Sequence, residues 1–213
     1  MILETNNLYH IYNQGNNRQK IFFNRDNYLF FLKKSGEYLL PYVDILAWCL
    51  MPNHFHFMVY VHDLEVEVAD NEGFTQSEAF IKSTSEAFSK TPNKKRTLND
   101  SIGLQLRSYT RAINKQDNRT GSLFRTPTKA ECITKIEGIT PSFFNTSQGT
   151  MINVSNPDLL YPKVCWDYIH NNPVEARIAK RPEDWEFSSY RDYYGLRNGK
   201  LINKERAKEF IEF

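Results

Sequence analysis

The chain has 213 residues, 40% of them hydrophobic and 24% charged, which is an ordinary composition for a water-soluble globular protein with one buried core. Its net charge of +2 does not by itself indicate a nucleic-acid-binding protein. The sequence has no signal-peptide pattern, no apolar run long enough to span a bilayer and no CxxC pair, which argues against a secreted, membrane or zinc-knuckle protein and favours the cytoplasm.

The first half of the chain predicts three strands and one helix. An apolar segment over residues 8–13 predicts a strand that ends at the turn-rich NQGNN, and apolar residues at helical spacing predict a helix over 26–40. A nearly continuous apolar run over 42–50 is typical of a strand that is covered on both faces. Residues 51–53 break that run before a strand over 54–61, so these two strands are predicted to form a tight hairpin.

The second half predicts a helix, a strand and two shorter helices. Apolar residues recur at steps of four, three and four from Ile102 to Ile113, which predicts an amphipathic helix over 101–115. A fourth strand and two proline-opened helical segments follow over residues 124–133, 162–172 and 173–179.

The predicted order β-α-β-β-α-β followed by helices is that of the ferredoxin-like α+β fold, in which two long helices cover one face of an antiparallel sheet. Two stretches interrupt it, an acidic segment over about 62–99 and a Gly/Ser/Thr/Asn-rich segment over about 134–157. We expect both to be insertions in a single domain over residues 1–213. A fold of this kind does not define a function.

Charge is distributed unevenly along the chain. Residues 63–100 carry eight acids against five bases, whereas residues 107–129 carry six bases and one acid. In the helix over 101–115, basic residues follow one another at i, i+4 spacing, at positions Arg107, Arg111 and Lys115. Such a stripe could hold a phosphate backbone or could be an ordinary solvated helix face, and charge alone does not separate the two.

The segment MPNHFHFMV, residues 51–59, contains the strongest local signal for chemistry. In a strand, the two-residue period places His54 and His56 on one face, where two imidazoles can converge on one cation. Such a cation would need a third protein ligand and open positions for substrate oxygens. The alternative is that both histidines are polar surface residues of an alternating strand.

A second group of polar residues lies in YIHNNP, residues 168–173. Tyr168 and Asn172 are four residues apart, so a helix presents the phenol and the amide on one stripe, whereas His170 faces away. Alternatively, Asn172 is an N-cap before a helix that Pro173 opens, and Tyr168 is a half-buried aromatic residue.

Taken together, MPNHFH and YIHNNPV resemble the REP-associated tyrosine transposases and related small transposases of the HUH superfamily, whose name denotes His, hydrophobic residue, His. The resemblance extends to YHIYNQGNNR, GSLFR and WEFSSY, residues 9–18, 121–125 and 185–190. These five motifs follow the order of the family and span most of the chain.

The resemblance implies a ferredoxin-like fold of the HUH endonuclease type and a metal-dependent cut in single-stranded DNA near a hairpin, which leaves a 5′-phosphotyrosine. By motif match, Tyr168 is the nucleophile, and His54, His56 and Asn172 are the metal ligands. The cation is expected to be Mg²⁺ or Mn²⁺, and the sequence leaves that choice open.

The expected partner is single-stranded DNA with a hairpin, and a homodimer is possible. We expect the loop over 13–18 to reach bases or a hairpin end. The basic residues expected to contact DNA are Arg18, Arg107, Arg111, Lys115 and Arg119.

Other assignments remain open at the level of sequence. Tyr109 is a rival nucleophile, although it shares the apolar stripe of its helix. The protein could be a domesticated transposase that binds hairpins without cutting them, or a replication initiator or relaxase, although relaxases typically place their tyrosine before the histidines. A zinc hydrolase is disfavoured because no acidic partner lies close to the two histidines.

Overall fold

A computed structural model describes residues 1–68, 94–134 and 157–213. Most of the two predicted insertions, residues 69–93 and 135–156, lies outside the described residues. The strands are β1 Asn7–Gln14, β2 Val43–Met51, β3 His54–Val61, β4 Glu65–Val68, β5 Lys94–Thr97 and β6 Lys129–Cys132. The helices are α1 Arg25–Leu39, α2 Leu98–Gln116, α3 Pro157–Glu175, α4 Tyr190–Tyr193 and α5 Lys204–Lys208, with short 3-10 helices at Asn16–Arg18 and Pro182–Asp184.

Four strands form the main sheet in the order β2-β3-β1-β6, and every neighbouring pair is antiparallel. Strands β4 and β5 form a separate two-stranded sheet. Met51 pairs with His54, so only Pro52 and Asn53 connect β2 to β3. The predicted mixed α+β class with an antiparallel sheet and the predicted tight hairpin are therefore confirmed.

The two faces of the sheet pack against different helices. Because side chains alternate along a strand, Ile11 and Phe57 point into a core with residues of α1 and α2. On the opposite face, Leu8 and Met58 pack against Ile169 of α3 and its neighbours. The face of β3 that carries its two histidines is therefore the face that α3 covers.

Polar caps define where α1 and α2 begin. The Oδ1 atom of Asn24 accepts a hydrogen bond from the amide of Asn27, and Thr97 Oγ1 accepts one from the amide of Asp100. Because Thr97 is the cap, α2 begins three residues before the predicted start of this helix. Helix α2 still buries the predicted apolar stripe, which confirms its amphipathic pattern.

One predicted strand and two predicted helices differ from the structure. The fourth strand, predicted over 124–133, is reduced to β6, and Phe124 makes only an isolated bridge with Gly15. Pro127 has no N–H for a ladder, which is a physical reason for the shorter strand. The two predicted helices over 162–172 and 173–179 are one helix as far as Glu175, and the amide of Ala176 donates to the carbonyl of Asn172. The alternative that Asn172 is an N-cap is therefore wrong.

The C-terminal motif WEFSSY fixes α3 to the edge of the sheet. The amide of Ser189 donates to the carbonyl of Trp48 in β2, and the Trp185 indole donates to the carbonyl of Leu50. The Ser189 hydroxyl lies 2.7 Å from Nε2 of His170 in α3, and both residues are buried. His170 thus faces away from Tyr168, as predicted, and connects α3 to β2.

Among the residues that the structure describes, no helix combines the length and the apolar composition needed to cross a membrane.

Candidate active site

The register of the sheet places the two histidines of β3 beside polar residues of β1. His54 pairs with Gln14, and His56 pairs with Tyr12, which in turn pairs with Lys129 of β6. The imidazole centroids of His54 and His56 lie 4.9 Å apart. The prediction that these two side chains share one face is therefore confirmed.

Helix α3 brings the predicted nucleophile and the predicted third ligand to the same place. The ring of Tyr168 is half-buried and stands almost perpendicular to that of His56, at 5.3 Å between centroids. One turn later, Oδ1 of Asn172 lies 3.1 Å from Nε2 of His54. The structure thus assembles Tyr168, His54, His56 and Asn172 at one site.

The ring nitrogens of His54 both face amide oxygens. Nδ1 lies 2.6 Å from Oδ1 of Asn53, and Nε2 faces Asn172. A neutral imidazole carries a single N–H, so it can donate to only one of these oxygens. If the proton is on Nδ1, the Nε2 lone pair faces the Asn172 oxygen, an arrangement that a cation between them would stabilise.

The ring nitrogens of His56 differ in their contacts. Nδ1 lies 2.9 Å from Nε2 of His10 on β1. Nε2 is buried and has no hydrogen-bond partner among the described residues. A buried ring nitrogen without a partner is unusual, because buried polar atoms normally form hydrogen bonds.

These contacts fit a divalent cation. Two ligands in neighbouring octahedral positions, each at about 2.1 Å from the metal, lie about 3 Å apart. The separation of 3.1 Å between His54 Nε2 and Asn172 Oδ1 meets that requirement, and Nε2 of His56 supplies a third donor. The described residues contain no group of three His, Cys, Asp or Glu side chains arranged for a metal, so such a site depends on the Asn172 amide.

Burial controls protonation in the site. It lowers the pKa of His54, an effect that the contact with the Asn172 oxygen partly opposes. It also lowers the pKa of His56 well below its usual value, and the neighbouring His10 and His54 lower it as well. Both imidazoles are therefore in the neutral form that binds metals. Burial also raises the pKa of Tyr168 to about 12, although the hydrogen bond with Asn172 acts in the opposite direction. The phenol is therefore protonated near neutral pH.

An open cleft of about 320 Å³ leads to the tyrosine and the histidines. Besides His54, His56 and Tyr168, its walls include Tyr12, Arg125 and Lys129. The Lys129 ammonium lies 5.8 Å from the centroid of the Tyr12 ring, and the Tyr12 hydroxyl donates to Glu131. The cleft therefore combines an aromatic surface and two cations with the candidate catalytic residues.

The five basic residues predicted to contact DNA do not lie together. Three of them, Arg107, Arg111 and Lys115, are exposed on α2, which covers the opposite face of the sheet from the histidines. Arg18 is exposed in the loop after β1, where its carbonyl lies 3.4 Å from Nδ2 of Asn53. Arg119 donates to Gln19 of that same loop. Arg18 and Arg119 therefore lie at the loop after β1, and of these two Arg18 contacts the connection between β2 and β3.

Tyr109, the rival nucleophile, lies in the core between the sheet and α1. Its side chain is fully buried, its hydroxyl donates to the carbonyl of Ile21 at 2.6 Å, and burial raises its pKa. The sheet separates it from His54 and His56, so its position does not suit attack on a phosphate at the histidines.

The sequence-based predictions did not single out His10, Tyr12, Arg125 or Lys129. Alternation along β1 predicts that His10 and Tyr12 share a face, and Arg125 and Lys129 belong to the basic block noted above. However, only the pairing of β1 with β3 and β6 brings Tyr12 and Lys129 to one cleft, which Arg125 also lines, and places His10 next to His56.

Neither protein-family models nor curated proteins match this chain. Among solved structures, it is similar to a REP-associated tyrosine transposase bound to a REP hairpin. That similarity has a TM-score of 0.51 at 16% sequence identity and covers 100% of this chain and 92% of the other. At this identity the similarity shows the fold alone: the chain shares a mixed helix and antiparallel-sheet fold with a tyrosine transposase.

Proposed function

We propose that the protein is a metal-dependent single-strand DNA endonuclease and strand transferase of the HUH type, which acts near DNA hairpins with Tyr168 as its nucleophile. The observation that carries the proposal is the convergence of Tyr168 and Asn172 from α3 on His54 and His56 of β3. The strand order β2-β3-β1-β6 with α1 and α2 on one face is that expected of a ferredoxin-like fold, which supports the HUH assignment.

The proposed reaction is an in-line displacement at phosphorus. The phenolic oxygen of Tyr168 forms a bond to the scissile phosphorus, while the bond from phosphorus to the 3′ oxygen of the preceding nucleotide breaks. The phenol loses its proton in the attack and the leaving 3′ oxygen takes up one, so the products are a 5′-phosphotyrosine and a free 3′-hydroxyl with no net change in protons. Attack of a 3′-hydroxyl on the phosphotyrosine reverses the exchange of bonds and rejoins strands without a nucleotide cofactor.

The residues of the site have separate tasks in this reaction. His54, His56 and Asn172 would hold Mg²⁺ or Mn²⁺, which when bound neutralises charge on the non-bridging phosphate oxygens. Asn172 also forms a hydrogen bond with Tyr168, which favours the deprotonated phenol. The packing of Tyr168 against the ring of His56 restricts the direction from which its oxygen approaches the phosphate.

The cleft supports a nucleic-acid substrate. Arg125 and Lys129 would bind phosphates on either side of the scissile one, and the ring of Tyr12 offers a surface on which a base could stack. The hairpin bound by the structurally similar transposase supports a hairpin as the recognised feature. Arg18 and Arg119, beside the loop after β1, are the proposed contacts to its stem.

The proposal is tested by trapping the covalent adduct. A hairpin-bearing oligonucleotide labelled at its 3′ end is incubated with protein and Mn²⁺, and the label is followed on a denaturing protein gel. The wild type is expected to retain label on the protein, and the Tyr168→Phe variant to retain none, because only the attacking oxygen is lost. The matched Tyr109→Phe variant should retain label, since its hydroxyl lies in the core.

Two results would contradict the proposal. An adduct that disappears in Tyr109→Phe and persists in Tyr168→Phe would show that the nucleophile is wrong. Binding of the hairpin by the wild type without any adduct in Mn²⁺ or Mg²⁺ would favour a hairpin-binding protein that does not cleave.

A further inference from the structure

A third histidine, His10, stands behind the proposed metal site. It lies on β1, opposite Met58, on the same face of the sheet as His54 and His56, and it is 2% exposed. Its Nε2 atom lies 2.9 Å from Nδ1 of His56, and the planes of the two imidazoles differ by 19°. With nearly parallel planes, ring centroids 5.1 Å apart and the two nitrogens 2.9 Å apart, the rings meet edge to edge, so an N–H of one can point at the lone pair of the other, as a hydrogen bond requires.

The two nitrogens in this contact share one proton when both rings are neutral. If Nδ1 of His56 carries the proton, His10 accepts the hydrogen bond, and Nε2 of His56 keeps a bare lone pair. If Nε2 of His10 carries it, the proton of His56 is on its own Nε2, which then cannot bind a cation. The direction of this one hydrogen bond therefore decides whether His56 can act as a ligand.

We infer that His10 is a positioning residue that accepts a hydrogen bond from Nδ1 of His56 and thereby holds His56 in the tautomer whose Nε2 faces the cation. Histidine ligands of metals commonly donate their other N–H to a carbonyl or carboxylate, and here a neutral imidazole takes that place. The part of this inference that concerns the metal depends on the proposed function, whereas the tautomer of His56 is a property of the metal-free protein.

His10 is not itself placed as a ligand. Its Nε2 atom contacts the edge of the His56 ring that carries Nδ1, whereas Nε2 of His56 lies on the other edge of that ring and has no hydrogen-bond partner among the described residues. No group of three His, Cys, Asp or Glu side chains in the described part of the chain is arranged to hold a metal. His10 therefore acts on a cation through His56.

The tautomer is measured directly by ¹⁵N–¹H correlation spectra of protein with ¹⁵N-labelled histidine, without metal and at neutral pH. In the wild type, Nδ1 of His56 is expected to be protonated and Nε2 to be unprotonated. The His10→Phe variant, which keeps a ring but no acceptor, should lose that preference. The His10→Gln variant offers an amide oxygen to Nδ1 of His56 and should restore it.

Affinity for Mn²⁺, followed by the electron paramagnetic resonance signal of the free ion, gives a second measurement. We expect His10→Phe to bind Mn²⁺ about 10- to 100-fold more weakly and His10→Gln to lie within a few-fold of the wild type. Met58→Leu is the matched control, because Met58 is buried opposite His10 and takes no part in the hydrogen bond.

Each adverse result has a separate meaning. A proton on Nε2 of His56 in the metal-free wild type would overturn the inference, as would a loss of Mn²⁺ affinity in Met58→Leu equal to that in His10→Phe. Should the wild type show the expected tautomer but bind no Mn²⁺, the tautomer inference would stand and the proposed metal site would be wrong. If His10→Phe does not fold, the wild-type spectrum and His10→Gln still decide the question.

Discussion

At the scale of the residue, Asn172 links the two halves of the candidate site. Its side chain contacts Nε2 of His54 and forms a hydrogen bond with Tyr168. An amide oxygen is a suitable ligand for Mg²⁺ or Mn²⁺, and it adds no charge that would compete with a phosphate. One side chain could thus hold the cation and orient the nucleophile.

Replacement of Asn172 by alanine should therefore impair both metal binding and cleavage. We expect Asn172→Ala to bind Mn²⁺ at least about 10-fold more weakly than the wild type. The substitution removes a proposed metal ligand itself, and the loss of a residue that only orients a ligand already has an effect of that size. Calorimetric titration with Mn²⁺ and the rate of adduct formation provide the measurements. Asn171→Ala is the control, because Asn171 is exposed and donates to Asp167 within α3. If Asn172→Ala binds Mn²⁺ as tightly as the wild type does, Asn172 is not a metal ligand.

At the scale of the element, the position of α3 decides where Tyr168 lies. Its covering face is apolar, through residues such as Cys165 and Ile169, while His170 adds a buried polar contact to Ser189. Burial lowers the pKa of His170 to about 3, and the nearby Lys163 lowers it as well. His170 is therefore neutral in the folded protein at pH values where it would be charged in the unfolded chain.

This difference predicts a loss of stability in acid. Below a pH of about 6.5 the unfolded chain takes up a proton on His170 that the folded protein does not, so the free energy of unfolding falls as the pH falls towards about 3. At about pH 5 the contribution is about 2 kcal/mol. The measurement is the free energy of unfolding in urea at about pH 7 and at about pH 5. Its decrease between the two pH values should be about 2 kcal/mol smaller in His170→Gln than in the wild type.

The matched control for this measurement is Ser189→Ala. It removes the hydroxyl that contacts Nε2 of His170 but keeps the titrating imidazole, so it should be less stable at both pH values and keep most of the pH dependence. An unchanged pH dependence in His170→Gln would show that His170 does not contribute to acid sensitivity.

At the scale of the whole molecule, basic residues occupy both faces of the sheet. Arg125 and Lys129 line the cleft, whereas the stripe on α2 lies on the opposite face. A short strand held at the histidines would meet the first pair, and only a longer or folded DNA could also reach the stripe. That Arg107, Arg111 and Lys115 contact DNA stays a prediction of the sequence. On the proposed function, the placement of Arg125 and Lys129 favours the cleft for the strand at the histidines.

Affinity over a salt series separates the two faces. With a short unpaired oligonucleotide, we expect the Arg125→Ala, Lys129→Ala variant to bind more weakly and to reduce the salt slope by about 0.7 for each phosphate contact that is lost. The Arg107→Ala, Arg111→Ala, Lys115→Ala variant serves as the comparison and should retain most of its affinity for this short strand. The opposite ranking would place the strand along α2.

Local periodicity in the sequence was sufficient to predict much of the candidate site. The alternation of β3 predicted that His54 and His56 share a face, and the four-residue spacing predicted that Tyr168 and Asn172 share a helical stripe. The order along the chain of the four strands of the main sheet and the hairpin between β2 and β3 also followed from the sequence, whereas β4 and β5 were not predicted. These features depend only on residues close together in the chain.

The tertiary structure decided which of these local patterns meet. The pairing of β1 with β3 brought His10 and Tyr12 to the site, and the packing of α2 on the far face buried Tyr109 and removed the basic stripe from the cleft. Helix α3 also continues through Pro173, which local rules would treat as a helix start. Strand order and the choice of face depend on contacts between residues far apart in the chain, and a repeating local pattern carries no information about them.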